Sequence, residues 1–135
     1  MTSKRAFQAL LAVIGLYVFI WIGLEDRSLI LPTILGVLIA TAVGLRLWRL
    51  QVGTAIAIPE LLRYALVGLI SGSLAMPIAA LGMLVKVSLH GHVPPDFTPA
   101  EVIEVLGRTS LWGLVGLLVS VAYGLGNGLR GGSAE

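Results

Sequence analysis

YALVGLISGSLAMPIAALGMLV, residues 64–85, is a run of 22 residues without a charged side chain or a histidine. As a helix it is about 33 Å long, enough to cross the roughly 30 Å hydrocarbon core of a bilayer. A barrel strand alternates apolar and polar positions, and this run does not. In hydrocarbon every backbone N–H must find its acceptor inside the element, so a helix is the required form.

Working outward, three more apolar runs appear: Ala6–Leu24, Leu29–Leu45 and Leu111–Leu129. None contains Asp, Glu, Lys, Arg or His. Across the 135 residues 57% are hydrophobic and 12% charged, against about 25% charged in soluble domains. A chain this short cannot hide so much apolar surface in water. A soluble monomer, a disordered chain and a nucleic-acid binder are therefore set aside. The expected class is all-α: a polytopic membrane protein with four transmembrane helices as two antiparallel hairpins, plus a short outer interfacial helix. One integral membrane domain would fill residues 1–135. Its spans would be about 6–24, 28–46, 60–89 and 110–129.

The first run follows Lys4 and Arg5 as a signal peptide would, but it is long and Gly23-Leu24-Glu25-Asp26 offers no small-x-small cleavage site. It is expected to be a retained helix. Charge placement then predicts orientation. Lys4, Arg5, Arg46, Arg49, Arg63 and Arg130 fall on one side, and Arg27, Lys86 and Arg108 on the other. Glu25, Asp26, Asp96, Glu101 and Glu104 share the second side. Both termini are expected to be cytoplasmic, in a multi-pass protein of the plasma (inner) membrane. Trp48, Tyr64 and Trp112 at span ends suit the headgroup layer. Lys86 and Arg63 flank the third span and are expected to snorkel to the surface.

Residues 90–109 form the expected outer loop. Thr98-Pro99-Ala100-Glu101 is a capping box with Pro at the first helical position, which opens a short helix over 99–106 that Gly107 ends. Its apolar face, Val102, Ile103, Val105 and Leu106, is expected to lie on the outer interface, with docking on the bundle as the alternative. Pro77 sits mid-span and predicts a kink, eased by Ser71 or Ser73 bonding freed carbonyls. The rival reading of Pro77 is a hinge or substrate-facing break.

Small residues recur at four-residue spacing: Gly36, Ala40 and Gly44; Gly68 and Gly72; Gly116, Ser120, Gly124 and Gly128. In lipid such ridges let helices approach closely. They serve internal packing or a face toward another chain. Cysteine is absent. His90 and His92, with Asp96, are weak candidates for a metal. No catalytic set is visible, an enzyme is not expected and no cofactor is expected. In size and helix count the chain is similar to small multidrug exporters and small fluoride channels. It lacks the first-span carboxylate of the former and the polar pore residues of the latter, and neither family is assigned.

The expected function is that of a small non-catalytic integral membrane protein, an accessory, assembly or scaffold subunit of a larger membrane complex, or a homo-oligomer. The alternative is a small transporter or channel with a path near the Pro77 kink. The expected partners are membrane lipid and other membrane-protein subunits or a second copy, with no nucleic acid.

Overall fold

The computed structural model describes residues 2–24, 27–51, 59–91 and 95–131, with side chains for all of these but 2, 3, 50, 51 and 127–131. The described residues form an all-helical chain of five elements: α1 (Thr2–Gly23), α2 (Ile30–Gln51), α3 (Glu60–His90), α4 (Pro99–Gly107) and α5 (Thr109–Gly131). Four segments are long and apolar enough to cross a membrane: Lys4–Gly23, Ile30–Arg49, Glu60–His90 and Pro99–Gly126.

α3 is the central element, with α2 and α5 both packed along it. Pro59 precedes its first turn and Glu60 sits at the positive end of its dipole. It ends where Gly91 takes a left-handed conformation (φ 59°) and its N–H bonds the Val87 carbonyl. α1 is the least embedded span and packs beside α2. Its Tyr17 hydroxyl donates to the Leu31 carbonyl at 2.9 Å, and the Arg49 guanidinium lies 5.4 Å from the centre of the Phe7 ring.

α3 runs unbroken through Pro77. The hydroxyl of Ser71 bonds the Val67 carbonyl. That differs from the expected easing, because the carbonyl that loses its partner to a proline four residues on is that of Ser73.

α4 docks on the bundle, the alternative to the expected position on the outer interface. Thr98 caps it by the expected capping box, its N–H donating to Glu101 Oε2 at 2.6 Å and its hydroxyl accepting from the Glu101 N–H at 3.3 Å. The helix then packs along α3, burying Val102 and Val105 in the main core with Ala79, Ala80 and Met83. Only Arg108 separates it from α5, and the Trp112 N–H bonds across the break to the Arg108 carbonyl. The fourth apolar span is therefore α4 and α5 together, and it carries Glu101, Glu104 and Arg108. The expected fourth span, 110–129, holds none of these three residues.

Candidate functional site

The small residues expected to form ridges meet one another inside the bundle. A Cβ on Gly68 or on Gly72 would run into backbone carbonyl oxygens of α5, those of Gly116 and Trp112 respectively. A Cβ on Gly116 would strike the Gly68 carbonyl and come within 2.9 Å of the Gly72 Cα. Ser120 lies against Gly68, and Gly113 against Ser73. On the other flank Gly36 abuts the Ala75 carbonyl and Ala79, while a Cβ on Gly44 would stand 2.7 Å from the Ser71 hydroxyl oxygen. Gly124 lies beneath the Tyr64 ring. Ala40 is buried in the core. Gly128 belongs to α5, but its surroundings lie outside the described side chains.

These contacts leave a trough with α3 as floor and α2 and α5 as walls, of about 600 Å³. Gly68, Ser71, Gly72 and Ala75 lie on the floor. The Trp48, Tyr64 and Tyr123 rings gather at one end: Trp48 stacks on Tyr64 at 4.3 Å, and Tyr64 meets Tyr123 edge-on at 6.0 Å. Pro77 is not among the lining residues.

Lys86 does not snorkel. It is 0% exposed, its Nζ donating to the Leu24 carbonyl at 2.6 Å and lying 5.2 Å and 5.7 Å from the Trp21 and Phe97 ring centres. A buried ammonium is costly unless it is bonded. Leu24 follows the last residue of α1, where carbonyls lack helical partners and the dipole is negative. α1 has no basic residue in its last turn, and α3 supplies the cation instead. Cation–π attraction to two rings adds to this anchorage. Sequence position alone hides the arrangement, because Trp21 and Phe97 are distant from Lys86 in the chain.

One turn on, His90 Nδ1 pairs with the Asp96 carboxylate, which is 4% exposed. His92, the other expected metal candidate, lies outside the described residues. Among the described residues no group of three or more His, Cys, Asp or Glu side chains comes together to hold a metal. The His90–Asp96 pair tethers the end of α3 to the segment that leads into α4.

Among the described residues a further charged pair is Glu104 with Arg108, on the outward side of the α4–α5 break and 54% and 47% exposed. Its level follows from two contacts. Phe97 lies beside Lys86, and the Trp112 carbonyl lies against Gly72. Gly72 to Lys86 is fourteen steps along α3 and Phe97 to Trp112 is fifteen along the facing segment, which puts Arg108 near the level of Met76. That is the middle of α3. Ile103, Leu106, Leu111, Leu114 and Leu118 are exposed along the same two helices.

Comparison with protein-family models, with curated proteins and with solved structures finds no match to this chain.

Proposed function

We propose that the chain is a small non-catalytic membrane protein that works by association, as an accessory, assembly or scaffold subunit or as a homo-oligomer. In this reading four spans cross the plasma membrane as two antiparallel hairpins with both termini cytoplasmic. One observation carries the proposal: the half-exposed Glu104–Arg108 pair at mid-length of α3. Met76 and Lys86 are about 15 Å apart along the helix, half of a hydrocarbon core. A charged side chain facing lipid at that depth costs about 2.5–3.5 kcal/mol on insertion scales, and more by other measures. Pairing lowers the cost, but a half-exposed pair still faces hydrocarbon unless protein covers it. Apolar side chains need no such cover; this pair does.

The test is cross-linking in native membranes, followed by mild-detergent extraction and native mass spectrometry. The expected result is an assembly heavier than one chain. A lone chain after cross-linking refutes the proposal. The rival, a path past Pro77, has less support. Its floor would be the trough, whose walls are mainly apolar, and the Ser71 hydroxyl there is committed to the Val67 carbonyl.

A further inference from the structure

Among the described residues, Glu104 and Arg108 form a half-exposed charged pair at mid-span, and its chemistry points to what covers it. We infer that the outward face of α4 and the first turns of α5 is a two-fold interface between two copies of this chain, in which Glu104 and Arg108 of one copy join those of the other. This rests on the association reading above and names the partner.

Three observations favour a second copy over an unrelated chain. First, the pair is self-complementary. It holds one acid and one base a helical turn apart on one face, and a two-fold axis along the membrane normal sets equivalent turns side by side. Two carboxylates then lie at one level and two guanidiniums a turn below. Each guanidinium has five donors in a fork and can reach its own carboxylate and the other copy's. No external charge is needed to balance the set. Second, Gly107 lies between the two charged residues along the helix, and a Cβ there would meet nothing within 4 Å. A glycine at the centre of an exposed apolar face permits close backbone approach. Third, exposed apolar side chains lie on either side of the charges along the chain, Ile103 before them and Leu111, Leu114 and Leu118 after, so closing the face would exclude lipid and water from the charges. Lys and Arg placement favours one orientation for every copy, as such an axis requires.

The native chain has no cysteine, so single cysteines report cleanly. Leu111→Cys, on this face, and Phe19→Cys, on α1 and 79% exposed, are compared by oxidative cross-linking in membranes. The expected result is a disulfide-linked dimer at Leu111→Cys and little at Phe19→Cys. In the Leu111→Cys background, Glu104→Arg and Arg108→Glu are then expressed singly and together. Neither single variant can form the pair within one chain. Each alone should lose about tenfold of the dimer, as about 1.4 kcal/mol predicts. Co-expression should restore it, as a mixed dimer of the two variants. Unchanged dimer in the single variants, or no recovery on co-expression, overturns the inference. Leu111→Cys cross-linking only to a different protein also overturns it, while leaving the association reading intact. No cross-link to any protein refutes both.

Discussion

Gly72→Ala is the smallest change that tests how α3 and α5 hold together. The new methyl would collide with the Trp112 carbonyl, whose carbon stands 3.0 Å away, and with the Gly116 Cα at 3.1 Å. All of these are backbone atoms, so no side chain can rotate aside. Relief requires the two helices to part by several tenths of an ångström or more along a seam that Gly68, Gly113 and Gly116 also form. Overpacking of this kind costs about 1–3 kcal/mol. Against it stands the gain of alanine over glycine within a helix, at most about 1 kcal/mol. The expected net is a loss of about 1–2 kcal/mol. Gly15→Ala is the matched control, because nothing lies within 4 Å of its Cβ position; it should be neutral or stabilising by a few tenths of a kcal/mol. Thermal unfolding in mild detergent, followed by circular dichroism, reads both. If Gly72→Ala is as stable as Gly15→Ala, the close contact of α3 and α5 is wrong.

Two further changes probe the loop end of the bundle. Lys86→Ala should destabilise by about 2–4 kcal/mol, since it removes a buried stem and leaves the Leu24 carbonyl without that donor; Lys86→Met keeps most of the volume and should cost clearly less, and equal losses in the same melt would mean that the stem does not pack. Thr98→Ala removes the side-chain half of the capping box and should cost about 1 kcal/mol, with faster amide exchange confined to α4; unchanged exchange there would show that packing on α3 alone holds the helix.

Much of the fold is legible in the sequence, because charge-free runs of membrane length allow few alternatives. The cap at Thr98 is equally plain, since it depends on four adjacent residues. The position of α4 is not. Val102, Ile103, Val105 and Leu106 give a nine-residue helix an apolar face that suits an interface and a bundle equally. Gly107 suggests an end, yet only Arg108 departs from the helix before α5 begins. Local signals mark the break and cannot show that the chain continues along α3 on both sides of it. Lys86 misleads for a related reason. A lysine near a span end usually reaches water, and only a long-range meeting with Trp21 and Phe97 turns it inward. The glycine spacing marks close approach without naming the partner helix; that choice is made by which backbones the bundle sets against each other.

The bond from Lys86 to Leu24 also bears on how the chain is made. The two residues are 62 positions apart. In synthesis from the N-terminus, α1 is made well before Lys86 exists. The far end of α1 therefore lacks this bond through the synthesis of α2 and most of α3, and gains it only when the nascent polypeptide has advanced beyond Lys86.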